Sequence, residues 1–378
     1  MTLARAARFP LLVASFLVAI DQGVRFTVLA DDQFAGARVP PFATPPLDER
    51  ELAELARVRR AVHDSAQPLL VGTHAVRSDS LLGWTAPPSV SDSAARSRRI
   101  VVIGGDGALS AEESAGPPWP TLVAEAGAGH GSGEPLAIVS LAVAGHDAGQ
   151  ALLRLENEGL AYDPYEVWFV LRARDLARAA TGFATLVDRE FGTPVFKPRF
   201  ELAEPTGVRY LAPPVEDFAS GLAVFEEPGG FARACGDDPW YPRLGAPARW
   251  FALTRLLAAA SNEQRRAAAL ALEDESTLEL GVAIVRRAAE ETLRRGVNLR
   301  VILLPDANEL ASAPGAGQRL RRALADWGIE AVDLAPVVLR AARSGAEIFA
   351  ERTGELTDVG QALVASAVIA HRGATAAY

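Results

Sequence analysis

From residue 99 onward, short blocks that are apolar at every position take turns with longer segments whose apolar residues recur at helical spacing. Ile100 to Ile103 is apolar throughout and ends at Gly104-Gly105, the pattern of a strand buried on both faces. Leu136 to Val143, Val167 to Leu171, Val301 to Leu304 and Ala331-Val332 read as further strands. Between them, Asp147 to Leu160, Thr277 to Arg295, Gln318 to Trp327 and Asp358 to His371 read as helices. Strands and helices in alternation predict a doubly wound α/β fold with a parallel sheet, helices on both faces and a ligand site beyond the carboxyl ends of the strands.

Two regions depart from this rhythm. Residues 31–98 read as a Pro-, Ala- and Gly-rich linker, a short amphipathic helix from Leu47 to Val62 and an extended lead-in over 63–98. Residues 180–265 are rich in Pro, Gly and aromatics (Phe191, Phe196, Phe200, Tyr210, Trp240, Tyr241, Trp250) and read as an irregular, partly β insertion within a domain spanning 99–378. Those rings would stack on sugars or, more simply, pack a small core.

The first 30 residues add a compartment. Arg5 and Arg8 precede an apolar run from Phe9 to Ile20, broken by Asp21, Gln22 and Arg25 and resumed from Phe26 to Ala30. This suits a signal sequence or a membrane anchor, with a buried cytoplasmic helix as the alternative. It predicts an extracytoplasmic protein, secreted or anchored.

Composition then narrows the function. The chain has 378 residues, 49% of them hydrophobic, enough for a sizeable core. Its net charge of -9 argues against nucleic acid as a partner, since no surplus of cations exists to displace phosphate counterions. The lone Cys235 excludes an intramolecular disulfide and a cysteine-built metal site, and reads as a plain thiol. His63, His74, His130, His146 and His371 show no ligand spacing, and no metal or cofactor is expected. One lysine, Lys197, stands against 37 arginines, a skew read as base composition.

The order of several short blocks is similar to that of the SGNH (GDSL-type) hydrolases, and specifically to an exported bacterial subgroup. Ile100 to Gly107, followed by Trp119-Pro120, resembles the family's strand, Gly-Asp-Ser turn and Trp-Pro helix start. Leu82-Gly83-Trp84 resembles a lead-in to it. Leu141 to His146, then Gly149-Gln150, resembles the block carrying the oxyanion glycine, at Gly145. Tyr162-Asp163-Pro164 and Val167 to Asp175 resemble the strand ending in Gly-x-Asn-Asp. Asp333-Leu334 and Phe349 to Gly360 resemble the C-terminal block. The resemblance covers about residues 80–175 and 275–370 and implies a flavodoxin-like sheet with a serine-triad hydrolase site at its edge.

Carried over residue by residue, that site is degenerate. The nucleophile position is Gly107, the oxyanion asparagine position Arg174, the histidine position Glu355 and the aspartate position Thr353, or Arg352 on the family's other spacing. Of these functional positions only Gly145 keeps its residue. Acyl-enzyme chemistry needs a nucleophile, a base and preorganised oxyanion donors together.

Replacements are few. Ser110 reads as the start of a capping box with Glu113 rather than as a displaced nucleophile. Asp147 reads as a helix cap beside His146. His371 lies too far along the last helix to serve. Arg174 and Glu355 are expected to form an ion pair across the mouth, or Arg174 to bind an anionic ligand, or both to face solvent. Arg174, Glu355, His146 and Asp106 are the ligand-binding candidates. The expected function is a pseudoenzyme: a non-catalytic envelope scaffold or carbohydrate- or anion-binding module, beside envelope polysaccharide or an active polysaccharide-modifying partner. The alternative is an esterase or O-acyltransferase acting on envelope carbohydrate esters through other residues.

Overall fold

A computed structural model describes residues 18–22, 24, 33–34, 37–38, 47–64, 69–71, 74–90, 98–109, 116–129, 136–204, 207–244, 251–312, 315–350 and 354–375. The N-terminal apolar segment therefore lies largely outside the described residues. Within it, Asp21 is buried and its carboxylate accepts the Leu253 N–H at 3.2 Å. Among the described residues no helix is long and apolar enough to cross a membrane.

A two-strand ladder, β1 (Gln33–Phe34) and β2 (Ala37–Arg38), precedes the helix Glu49–His63. Asp48 and Glu51 cap that helix reciprocally, each side chain accepting the other's backbone N–H. The lead-in is more ordered than its sequence suggests. It forms an antiparallel sheet of β3 (Leu69–Val71), β4 (His74–Asp79) and β5 (Gly83–Thr85), and then the short β6 (Ser89–Val90).

Five parallel strands make the main sheet: β7 (Arg98–Gly104), β8 (Leu136–Ser140), β9 (Glu166–Leu171), and, after the hairpin β10 (Arg199–Ala203) and β11 (Gly207–Leu211), β12 (Asn298–Leu303) and β13 (Ala331–Asp333). Their order is β13-β12-β9-β7-β8, with β6 antiparallel along the β8 edge. Counting only the parallel strands, this is the 2-1-3-4-5 order of the flavodoxin-like α/β fold, whose switch point lies between β7 and β9.

Apolar residues on both sides of each strand explain the unbroken apolar runs. Val101, Ile103, Phe169 and Val301 pack under the helices Ala148–Asn157, Ala173–Ala179, Glu275–Leu293 and Ala316–Ala325. Ile100, Val102, Trp168 and Ile302 pack on the other face against Trp119–Gly129, Ala335–Arg343 and Asp358–Thr375. Adjacent strand residues thus feed two different cores, as a period-two side-chain pattern requires.

Among the described residues of 180–265, the β10–β11 hairpin supplies the strands, with an isolated β-bridge between Phe183 and Phe196. The stretch also contains the helices Phe218–Glu226, Gly230–Ala234 and most of Ala252–Leu270. Phe183, Phe196, Phe225 and Phe231 contact one another with ring centroids 5.0 to 6.4 Å apart, so these rings build a local core.

Candidate functional site

The end of β7 is pressed against its neighbours by two glycines. Gly104 has φ +148°, and a Cβ there would come within 2.5 Å of the Val170 carbonyl oxygen. A Cβ on Gly105 would meet the His146 carbonyl oxygen at 2.4 Å. The chain then makes one 3-10 turn, Asp106–Ala108. Trp119 donates its indole N–H to the Gly107 carbonyl at 3.0 Å. Gln361 accepts the Trp119 N–H at 2.8 Å and donates to the Leu109 carbonyl at 3.0 Å. Two helices on one face therefore fix this turn where the resemblance places a nucleophile.

Gly107 is buried, and its surroundings are closed. A Cβ there would lie 3.3 Å from Leu304 Cδ2, 3.4 Å from Val170 Cγ1 and 3.8 Å from Arg172 Cδ. Gly145, at φ +73°, is far more confined: a Cβ would sit 2.7 Å from both Phe191 Cε2 and Val71 Cγ1. The lead-in clamps this second turn. Trp84 donates its indole N–H to the Ala144 carbonyl at 2.9 Å, and its own carbonyl accepts His146 Nε2–H at 2.8 Å.

Asp106 joins the two turns. Its Oδ1 accepts the Gly145 N–H at 2.7 Å and its Oδ2 accepts from Arg172 Nη2 at 2.6 Å. Burial works against the charged carboxylate, but Arg172, Arg178 and the Gly145 N–H outweigh it and hold the Asp106 pKa down at about 2. From there an ion-pair chain runs along the carboxyl ends of the strands. Arg172 stands 3.4 Å from Asp175, Asp175 2.6 Å from Arg178, and Arg178 3.9 Å from Asp188. Arg178 also lies over the Phe191 ring, 4.9 Å from its centroid.

Arg174 ends this chain and does not pair with Glu355. It reaches Asp306 at 2.7 Å, Glu190 at 3.0 Å and Asp188 at 3.7 Å. Burial opposes its charge, yet Asp188 and Asp306 raise its pKa above the ordinary arginine value. Arg174 is thus engaged, and its guanidinium faces neither bare solvent nor an uncompensated pocket. The Glu355 carboxylate instead lies 3.8 Å from His74 Nε2, a residue of β4. The expected pair fails because Asp306, at the end of β12, and Asp188, in the insertion, reach the arginine first. Neither is near it in sequence.

The remaining candidates separate clearly. His146 is fully buried; desolvation lowers its pKa to about 4, so it stays neutral, and its Nδ1 meets no hydrogen-bond partner among the described residues. Asp147 caps the helix Ala148–Asn157 reciprocally with Gln150. Cys235 is buried, and desolvation pushes its thiol far above the usual range, leaving it inert as a nucleophile. His371 sits in the last helix, 3.3 Å from Glu330. Ser110, Glu113, Arg352, Thr353, His130 and Trp250 lie outside the described residues.

Arg172, Asp175, Arg178 and Lys197 matter here and were not singled out in the sequence. Arg172-Ala173-Arg174-Asp175 followed by Arg178 places cations and an acid three and four positions apart at a strand end, a usable signal. Lys197 gave only its rarity. It is 1% exposed, its Nζ lies 2.6 Å from Asp147 Oδ2, and it donates to the Arg178 and Pro198 carbonyls at 2.7 and 3.1 Å. The one lysine thus has a structural post, anchoring the insertion to the cap of Ala148–Asn157. A shallow crevice lies beside the rim, lined by Arg172, Leu304, Glu309 and Asp333. Desolvation raises the Glu309 pKa to about 7.

Comparison with known proteins yields solved structures only. No protein-family model matches the sequence, and no curated protein matches it. A catalytic mutant of an acetylxylan esterase from Geobacillus stearothermophilus superposes with a TM-score of 0.40 at 11% identity, over 73% of this chain and 94% of that one. A lipase/acylhydrolase from Enterococcus faecalis gives 0.32 at 13% identity, over 72% and 94%. A G-D-S-L family structure from Desulfitobacterium hafniense gives 0.35 at 9% identity, over 72% and 99%. The strand order, rather than these superpositions, carries the fold assignment.

Proposed function

We propose that this chain is a non-catalytic SGNH-hydrolase-like protein, a scaffold or binding module of the cell envelope, exported by its N-terminal apolar segment and working beside envelope polysaccharide or an active polysaccharide-modifying partner. One observation carries the reading: the Gly145 N–H, the oxyanion donor that the second block retains, already holds the Asp106 carboxylate at 2.7 Å. A developing oxyanion would have to displace a charged, hydrogen-bonded group, which reverses the preorganisation that such a donor supplies in catalysis. Gly107 brings no side chain to this turn, and its neighbours Leu304, Val170 and the Arg172 stem present carbon atoms that supply no base. Around the rim Asp106, Asp175, Asp188, Glu190 and Asp306 outnumber Arg172, Arg174 and Arg178. This balance favours a neutral carbohydrate over an anion as ligand.

A fluorophosphonate probe tests the reading by attacking any activated serine. No labelling above the heat-denatured control is expected; stoichiometric labelling of the native chain would overturn the proposal. A second reading, an esterase or O-acyltransferase acting through other residues, draws on one feature, the approach of His74 to Glu355. It requires ester turnover that His74→Ala abolishes.

A further inference from the structure

Away from the rim, a cleft of about 240 Å³ opens between the β10–β11 hairpin and the turn that follows the helix Gly230–Ala234. Arg199 and Leu211, paired across the open end of the hairpin, form one wall. Cys235 and Asp238 form the other, and Gly182 lies on the lining. No lining residue belongs to the ion-pair rim.

Charge in this cleft is unbalanced in a specific way. The two carboxylates are already engaged. Asp238 Oδ1 accepts the Trp240 N–H at 2.8 Å, and its Oδ2 accepts from the Thr181 hydroxyl at 2.8 Å and the Gly182 N–H at 2.7 Å. Asp237 lies 3.8 Å from Arg243. Among the described residues the Arg199 guanidinium makes no hydrogen bond and no close ion pair, and it acts on the Asp238 carboxylate only through space. Its N–H donors thus remain open to a ligand in a cleft whose apolar lining is Leu211, Ala212, Pro214 and Ala234, with the two aspartates at its edge.

We propose that this cleft binds a small organic monocarboxylate, with Arg199 as its counter-ion and the apolar wall against its body. A guanidinium fork matches a planar carboxylate in bidentate fashion. The neighbouring Asp237 and Asp238 carboxylates disfavour a dianion such as a phosphate monoester by like-charge repulsion. The volume, below that of a usual drug-sized site, restricts the ligand to a small one of about a single ring.

Gly182 supplies an independent handle. A Cβ there would meet the Lys197 carbonyl oxygen at 3.5 Å, Asp238 Oδ2 at 3.7 Å and Pro214 Cδ at 3.9 Å, all ordinary contacts. A larger side chain is therefore tolerated at its base and intrudes on the cleft. Calorimetric titration of the full chain compares three probes with matched rings: benzoate, phenyl phosphate and benzyl alcohol. Benzoate is expected to bind saturably and more tightly than the other two. Arg199→Met should weaken it by about tenfold to a hundredfold, the worth of a hydrogen bond to a charged group. Arg199→Lys should retain part of the affinity, and Gly182→Val should lose it while melting as a folded protein. Absence of saturable benzoate binding, equal affinity in Arg199→Met, or tighter binding of phenyl phosphate or benzyl alcohol would each overturn the proposal. These outcomes leave the non-catalytic reading of the rim untouched, since the two sites share no residue.

Discussion

Asp106 and Gly145 are joined by a 2.7 Å hydrogen bond that occupies one of the two backbone donors the family resemblance assigns to oxyanion binding, the other being the N–H of residue 107. The same carboxylate carries Arg172 on its other oxygen. An acid that would neighbour a nucleophile has become the keystone of an ion-pair chain. Asp106→Asn should cost about 2–4 kcal/mol in urea denaturation at neutral pH, because it leaves the buried Arg172 short of a counter-ion. Because folding lowers the Asp106 pKa from 3.8 to about 2, its stabilisation is complete above 3.8 and is lost as the pH falls towards 2. The variant should therefore show a shallower loss of stability across that acid window.

Glu309 gives the opposite slope. Its pKa is raised on folding from 4.5 to about 7 by desolvation. Its contribution is then fully present below 4.5 and is lost as the pH rises through 7. Glu309→Gln should be the more stable protein at pH 8 by about 2–3 kcal/mol, with the advantage shrinking towards pH 5. Paired urea titrations at the two pH values check this.

Gly145→Ala should destabilise by about 2 kcal/mol or more, since its φ of +73° and the contacts with Phe191 and Val71 both oppose a Cβ. Thermal melting of the variant reads the effect directly.

Lys197 is the only lysine and is buried against Asp147. A native-state amine reagent should leave it unmodified, and brief denaturation should make it reactive, as mass spectrometry reads. Lys197→Met should cost about 3–5 kcal/mol by stranding the Asp147 carboxylate.

Much of the fold is legible in the sequence because β7 and β12 are covered on both faces. Ile100 to Ile103 and Val301 to Leu304 consequently carry no polar interruption. The lead-in is harder to read: β3 and β5 have three residues each, too few to display a period. The helix Ala252–Leu270 had a signal in its alanine-rich composition, outweighed by the surrounding Pro, Gly and aromatic residues. At the site, the glycine at position 107 is visible in one residue. The pairing of the rim arginines with Asp106, Asp188 and Asp306 is not, because those partners come from separate elements and only the folded sheet brings them to one edge.

The most direct test is steady-state hydrolysis of a short aryl acetate by the purified full chain at neutral pH, against buffer and heat-denatured protein. The account predicts no saturable turnover above either control, because residue 107 lacks a hydroxyl and the Gly145 N–H is occupied. Saturable turnover that survives Gly107→Ser unchanged would contradict it, and would place an active nucleophile elsewhere in the chain.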